Sequence, residues 1–531
     1  MTQTEIINSS LPNVDSELIK QFIQDDIVSP LKRQMRIGQR YFEGKHDICF
    51  KKLNEYTIIG KEKDQTTGKE KEVRKTIEIP NKSLVKVAHR YHWKLVKQKQ
   101  NYVAGKPITI SYEPIVDKEL TIEQSKKLKA INKTIVNKFW NILGPGFDNF
   151  LKESIVNMSN KVNAVWHVFY DEYGNLKYCN IEPLDIIDIY DTKTQKILTD
   201  ILYNYQIVDN GKKKRYVEWE TSTETKYFIE ETNEIANTQE YLLDVSRINP
   251  EPHWIAKQLF NGKVAKTEAH GWGRVPYIII KNNEERQTDL EPIKSLIDAY
   301  DLINSNFINN IEDLKEFIYK INGYGAENLV ELVERIKIMG IIRNNDATGK
   351  IETETIPFPY EARQIILKLL EEKIYEFGRG VNTNKSELIG QAPSGISLEF
   401  LYTDLDLKAD ECIANLTEGL YQLFWFIAEH LKRKGEIPQD LNVFDFKFIF
   451  NRSRIFNTTE QIETINNDTT ISIRTKLENH PYVNDIEQEL QRIKEEKEEH
   501  MKMQSQIFNN SGGFEKNNDE EMKNKTGTNK E

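Results

Sequence analysis

Between Pro393 and Pro438 no proline interrupts the chain, and Leu398, Leu401, Leu405, Ala409, Cys412, Leu416, Leu420, Leu423, Ile427 and Leu431 recur at spacings of three and four. That period marks one face of an α-helix. At 1.5 Å per residue the predicted helix, residues 397–435, is roughly 55 Å long. An element of this length spans a whole domain, so the rest of the fold must be built along it. Its acids Glu399, Asp404, Asp406, Asp410 and Glu411 crowd the first half, opposed there only by Lys408.

The chain is 531 residues long, beyond the size at which a single hydrophobic core usually stops growing, so two or three packed substructures are expected. With 38% hydrophobic and 29% charged residues it reads as a polar, water-exposed chain with a large surface. A net charge of −10 argues against a general nucleic-acid binder, which gains affinity by neutralising phosphates. Any contact with DNA is expected to be local or weak. Cys49, Cys179 and Cys412 form no CxxC pair, which fits a reducing compartment. The N-terminus lacks a basic-then-apolar leader and no apolar run approaches a membrane span, so synthesis and assembly in the cytoplasm, without membrane contact, are expected.

From Asp15 to about Tyr41 the apolar positions predict helix, interrupted at Pro30. The charged segment Lys61–Lys75 reads as an exposed loop that serves as a spacer. Asn81 is a candidate cap for a helix reaching about Ala104, whose polar edge carries Lys82, Lys86, Arg90, Lys94 and Lys97 with no acid nearby. That edge is a possible inter-subunit or DNA face: it meets either solvent and an acidic neighbour, or phosphates. Val162–Glu230 shows aromatic and β-branched runs separated by Gly-Asn and Asn-Gly turns, predicting antiparallel hairpins. GWGRVPYIII predicts one more buried strand.

Helix returns at Thr288, where TDLEP supplies a cap, acids and a proline for the first turn. Leu290, Ile293, Ile297, Tyr300, Ile303, Phe307, Ile311 and Leu314 then form a stripe of about seven turns. Lys315–Pro357 reads as a compact α/β insertion: a strand in KEFIYKINGYG, a short helix, and a hairpin around Asn345-Asp346-Ala347-Thr348-Gly349. A second helix occupies 358–380, and the loop Val381–Ile396 leads into the long helix. IEQELQRIKEEKEEHMKMQSQ is a charged helix, and 509–531 is expected to be disordered.

Chemistry is hard to place. No Gly-Lys is followed by Ser or Thr, so the phosphate-binding loop of a nucleotide-driven motor is missing. GYGAEN and GWGRVP lack the third glycine of a dinucleotide site and read as turns. His89 and His92 are three apart, but no cluster completes a metal site. APSGIS is not a G-x-S-x-G nucleophile turn. Neither a metal nor a cofactor is implied, and the chain reads as no enzyme.

Five strings, in order, now point one way: IPNKSLVKVAHRYHWKLVKQKQNYVAGKPITI, NNEERQTDLEPIKSLIDAYDLINSNFINNIEDL, SGISLEFLYTDLDLKAD, FNRSRIFNTTEQIE and ISIRTKLENHPYVNDIEQELQRI. Through them most of the chain resembles the portal proteins of tailed bacteriophages, of the type found in siphophages of Gram-positive hosts. It departs from them in the insertion Lys61–Lys75 and in SLEFLY, where a lysine often follows the leucine. The resemblance implies an α+β, mainly helical portal fold with wing, stem, clip and crown, assembled as a ring, usually a dodecamer, around a DNA channel at one capsid vertex. It would place the wing at 1–287, stem helices at 288–314 and 358–380, the clip at 315–357, a tunnel loop at 381–396, the long wing helix at 397–435, a wing strand region at 436–456 and the crown at 457–508.

In that scheme Asn384, Lys385, Glu387, Gln391 and Ser394 would face DNA in the channel. Glu399, Asp406 and Asp410 would face either the channel or basic residues of a neighbouring subunit, and Arg343, Asn344 and Lys350 would form the clip docking surface. Lys86, Arg90, Lys94 and Lys97 would be the basic face. The implied partners are further copies of the chain, double-stranded DNA, terminase, major capsid and scaffolding proteins and a head-completion adaptor, and the implied location is the virion. A phage nuclease and a different ring-forming connector are the rival readings.

Overall fold

The computed structural model describes residues 14–52, 55–63, 70–78, 83–114, 121–209, 211–233, 238–260, 263–313, 318–322, 350–354, 360–383 and 395–452, with shorter pieces up to residue 503. Its first helices are α1 (Val14–Val28), α2 (Pro30–Phe42) and the short α3 (Asp47–Phe50). Ser29 caps α2, its hydroxyl accepting from the Lys32 amide, and Pro30 occupies the first turn, where its missing N–H costs nothing.

The segment expected to be a spacer loop is instead largely strand. β1 (Glu55–Lys63) pairs antiparallel with β2 (Glu70–Glu78), and the register sets Lys61 opposite Glu72, Glu62 opposite Lys71 and Lys63 opposite Glu70. Opposite charges facing across a ladder suit a hairpin that composition alone mistakes for coil.

A second correction concerns the basic helix. It begins at Tyr91, not near Asn81, giving α4 (Tyr91–Ala104), and residues 83–90 carry no helix. Next come β3 (Thr109–Tyr112), α5 (Ile122–Leu143) and α6 (Phe147–Lys161).

The β region follows the predicted turns. β4 (Asn163–Tyr170) and β5 (Leu176–Ile181) form a hairpin whose turn needs Gly174 at φ +77°, a left-handed conformation that glycine adopts without strain. β6 (Ile186–Tyr190), β7 (Leu198–Asp209), β8 (Lys212–Glu220), β9 (Glu224–Asn233) and β10 (Thr238–Leu243) make an antiparallel sheet in the order β10-β9-β8-β7-β6, with β11 (Glu251–Pro252) also on β9. Trp254–Phe260 (β12) and Lys263–His270 (β13) pair antiparallel, strands that the sequence reading did not predict. β14 (Tyr277–Lys281), predicted from GWGRVPYIII, pairs with β4.

α7 (Lys294–Asp313) follows a 3-10 turn at Glu291–Ile293. Within the insertion, β15 (Ile318–Asn322) pairs with β16 (Lys350–Glu354). The arm IIRN that the sequence assigned as the partner of KIETE lies outside the described residues, as does the short helix of that unit. α8 (Tyr360–Phe377) and the long α9 (Gly395–Arg433, 39 residues) are helices, as read from the sequence. β17 (Phe446–Ile449) pairs with β3, joining residues more than three hundred positions apart. In the C-terminal segment, Ile473–Glu478 (α10) and residues 489–503 are helical.

Burial follows the predicted period along the long helix, but on α7 the predicted stripe is buried only as far as Ile297: Ile303 and Phe307 are half-buried and Ile311 is exposed. Leu18, Ile19, Phe22 and Ile23 of α1 pack on Ile187, Leu202, Val217 and Phe228 of the large sheet. A second core sits between that sheet and β14-β4, around Val165, Ile186, Ile201 and Tyr277. A third, of Tyr41, Leu95, Leu290, Ile293, Ile297, Ile374 and Tyr375, ties α2, α4, α7 and α8 together. On α9, Leu405, Ala409, Cys412, Leu416, Leu420, Leu423, Ile427 and Leu431 are all buried. Gly419 sits within that helix for a steric reason: a Cβ there would stand 2.4 Å from Ile280 Cδ1. At the far end the Arg433 guanidinium lies 4.1 Å from the Trp254 ring centre and 4.3 Å from that of Trp272, fastening the β12–β13 hairpin to the helix.

Candidate functional site

The charged groups of the fold gather where α4, α7, α8 and the first half of α9 meet. Residues 85–89, outside any helix, run along α7. The Val85 amide donates to Asn309 Oδ1 (2.8 Å) and its carbonyl accepts from Asn309 Nδ2 (3.0 Å), the Val87 amide donates to Ser305 Oγ (3.0 Å), and the His89 amide donates to Asp301 Oδ1 (2.8 Å). The match is geometric: four residues of helix advance about 6 Å and two of extended chain about 6.6 Å, so every second amide finds every fourth side chain. Asp301, Ser305 and Asn309 are fully buried. They form a polar row beside the apolar stripe predicted on this helix, and their i, i+4, i+8 spacing was the unused signal for it.

Asp301 takes two further bonds, from the rings of His46 (Nδ1 to Oδ2, 2.6 Å) and His89 (Nδ1 to Oδ1, 2.9 Å). His46 Nε2 faces the Tyr41 carbonyl at 3.2 Å, so both ring nitrogens lie within hydrogen-bond reach of an oxygen. Burial pushes the Asp301 carboxyl up, but the hydrogen bonds from His46 and His89 outweigh it and leave the group below the ordinary range. His92, the other half of the candidate histidine pair, turns away and meets Asn160 Oδ1 at 2.8 Å.

One turn before α7, Asp289 lies buried between two lysines, Lys408 of α9 (3.1 Å) and Lys99 of α4 (3.3 Å), and accepts from Asn282 Nδ2 (2.8 Å). Lys99 also donates to Asn282 Oδ1 (2.8 Å) and Lys408 to the Gly378 carbonyl after α8 (3.0 Å). One carboxylate thus ties α4 to α9, and Lys408 carries the link on to the chain after α8. Burial would raise its pKa, but the two ammonium groups hold it far below the usual carboxylate range. Lys408, the only base in the acidic half of the long helix, is therefore turned inward and does not neutralise the acids beside it.

Those acids have partners of their own. Asp406 accepts from Tyr102 Oη (2.5 Å) and pairs with Arg452 Nη1 (2.7 Å), Asp410 meets Arg452 Nη2, and Glu411 lies 3.7 Å from Arg379. Asn451, beside that arginine, donates to the Pro107 carbonyl (2.7 Å). Three of the five resembling strings, GKPITI, DLDLKAD and FNRSR, therefore converge on one junction.

Each residue of the basic face has a contact within the chain, while Lys86 and Arg90 stay exposed. Lys86 donates to the Cys49 carbonyl (3.0 Å), Arg90 donates to the Phe42 carbonyl (2.8 Å) and covers Trp93, Lys94 lies over Tyr375, and Lys97 donates to Gln100 Oε1 (2.9 Å). Asn384, Lys385, Glu387, Gln391, Ser394, Arg343 and Asn344 lie outside the described residues, as does the side chain of Glu399. Lys350 opens β16, opposite Asn322. Among the described residues no helix is long and apolar enough to cross a membrane.

Comparison with known proteins gives concordant results. The family described as "Phage portal protein, SPP1 Gp6-like" matches residues 30–503. The portal protein of Bacillus phage SPP1 is 29% identical over 521 residues, covering 96% of this chain and 92% of that protein. The portal protein of Clostridium phage phiCD119 is 26% identical over 442 residues, covering 80% of this chain and 88% of its own.

Proposed function

The chain belongs to the SPP1 Gp6-like family of phage portal proteins, and from that premise we propose that twelve copies form a ring at one capsid vertex, through which double-stranded DNA is packaged and later ejected. The observation that carries the reading is the family match from residue 30 to 503, together with portal relatives aligned over nearly their whole length. We assign residues 1–287 to a wing, α7 and α8 to a stem, 315–357 to a clip, 381–396 to a tunnel loop and 457–508 to a crown.

In this scheme the junction around Asp289 and Asp301 does mechanical work. A 39-residue helix acts as a rigid strut only if it is held along its length, and Lys408–Asp289 holds its first half to the segment leading into α7 while Arg452–Asp406 holds it to the chain after β17. Dense lysine and arginine contacts would hold DNA by counterion release, so a channel that lets DNA slide needs few of them. Lys385, Asn384, Glu387, Gln391 and Ser394 are the proposed channel residues, and Arg343, Asn344 and Lys350 the proposed docking surface for terminase, which supplies the packaging power. Capsid, scaffolding and head-completion proteins contact the ring elsewhere. The chain itself acts as a structural conduit and not as a catalyst. Negative-stain imaging of the purified full chain tests the reading: rings with a central hole are expected, and monomer at every salt concentration, with or without scaffolding protein, would refute it.

A further inference from the structure

The N-terminal half of α5 finds no cover in the described chain. From Glu123 to Thr134 every residue is exposed or half-exposed, and burial begins only at Ile135. A reciprocal Thr121–Gln124 capping box closes the helix start. This half carries Lys126, Lys127, Lys129 and Lys133 against the single acid Glu123, in a chain of net charge −10. Lys127 meets Glu123 at 3.0 Å in an exposed pair. Between the lysines runs an apolar seam, Leu128, Ile131 and Ile135 at helical spacing, and Ile131 is 56% exposed.

Three turns of helix with so little cover among the described residues are marginal in water, and lysines around an exposed isoleucine describe a surface that is completed by another molecule. Phosphates would use the lysines and leave Ile131 and Leu128 in water. A protein surface with an apolar centre and an acidic rim uses both.

The same chain presents such a surface. A cleft of about 500 Å³ beside α8 and α9 is lined by Glu285, Glu376, Asp404 and Glu411 together with Arg379 and the Asp289 cluster with its Lys99 and Lys408; Glu376 also meets Lys373 and Glu411 meets Arg379, which leaves Glu285 and Asp404 as its unbridged acids among the described residues. Phe377, in its wall, is 54% exposed, and Leu407, one helical turn from Asp404, is 59% exposed. We propose that the projecting half of α5 of one copy docks against this acidic cleft of the next copy, Ile131 on Phe377 and Leu407, the lysines on Glu376, Asp404 and Glu285. A contact between two different surfaces repeats head to tail, and it closes as a ring when the rotation per copy divides a full turn. The inference rests on the ring reading above and names the contact that builds it.

The test uses the full chain. Lys126→Glu, Lys129→Glu and Lys133→Glu together should raise the protein concentration needed for ring formation by about tenfold or more in light scattering at low salt, leaving far-UV circular dichroism unchanged. Ile131→Asp should do the same through the seam. Adding Glu376→Lys and Asp404→Lys to the triple variant should restore rings by reversing both surfaces. Rings as stable as wild type in the triple variant and in Ile131→Asp would overturn the proposal. So would a triple variant that assembles normally but loses salt-sensitive binding of a 60-base-pair duplex, because DNA would then be what covers the helix. A wild-type chain that never forms rings would refute the ring reading itself, an outcome distinct from wild-type rings that survive charge reversal.

Discussion

Replacing Asp289 with alanine should be among the most damaging single substitutions in the molecule. Asp289 is buried, and its removal takes away the acidic partner of two ammonium groups that remain inside, Lys99 at 3.3 Å and Lys408 at 3.1 Å. Each lysine keeps one neutral acceptor, the Asn282 side-chain oxygen and the Gly378 carbonyl. Breaking a buried ion pair by deleting one partner typically costs about 3–5 kcal/mol, because the other charge stays desolvated. The two retained carbonyls place the expectation at the lower end, about 3 kcal/mol. Lys408→Met alone is expected to cost less, since it removes a buried charge as well as a bond and leaves Asp289 paired with Lys99. In the double variant the two effects should fall short of additive by about 1–3 kcal/mol, the signature of direct coupling. Urea denaturation followed by tryptophan fluorescence measures all three variants. The sign with pH is fixed: a carboxyl held below its unfolded value stabilises above that value and loses the contribution as pH falls through the folded one. The gap between Asp289→Ala and wild type should therefore be complete at neutral pH and narrow only below about pH 4. An Asp289→Ala protein within 1 kcal/mol of wild type by the same assay, or strict additivity with Lys408→Met, would refute the reasoning.

Gly419→Ala should destabilise by about 1–3 kcal/mol through overpacking against Ile280, with partial rescue by Ile280→Val, both read as melting temperature. Ser305→Ala and Asn309→Ala each strip a buried acceptor from the segment 85–89, costing about 1–3 kcal/mol, and amide hydrogen exchange at Val87 and Val85 respectively should accelerate. If exchange at those amides is unchanged, the row on α7 does not hold the segment in solution. Lys385→Glu with Gln391→Glu should leave rings intact while lowering the amount of DNA packaged per particle. Packaging at wild-type density, or failure to cross-link cysteines at these positions to packaged DNA, would remove this loop from the channel.

Local order in the chain was enough for its apolar framework. The three-four spacing from Leu398 to Leu431 defined the long helix, and alternation with Gly-Asn and Asn-Gly turns defined the β4–β5 and β7–β8 hairpins, because backbone period and turn conformation are set by neighbours. The sequence also carried the family, through strings of which three meet at one junction. What it could not supply was the partner of each polar group. NKSLVKVAHR has helical spacing, yet from residue 83 it carries no helix, because buried side chains more than two hundred positions away, on α7, satisfy its amides. Lys408 reads as the surface counterweight to its neighbouring acids, but it is turned inward by an aspartate on another element, and Arg452 takes the acids instead. Hydrophobic burial depends on a residue's own chemistry and period and is therefore written locally. A buried charge or amide is stable only beside a specific partner, and the tertiary fold alone decides which partner that is.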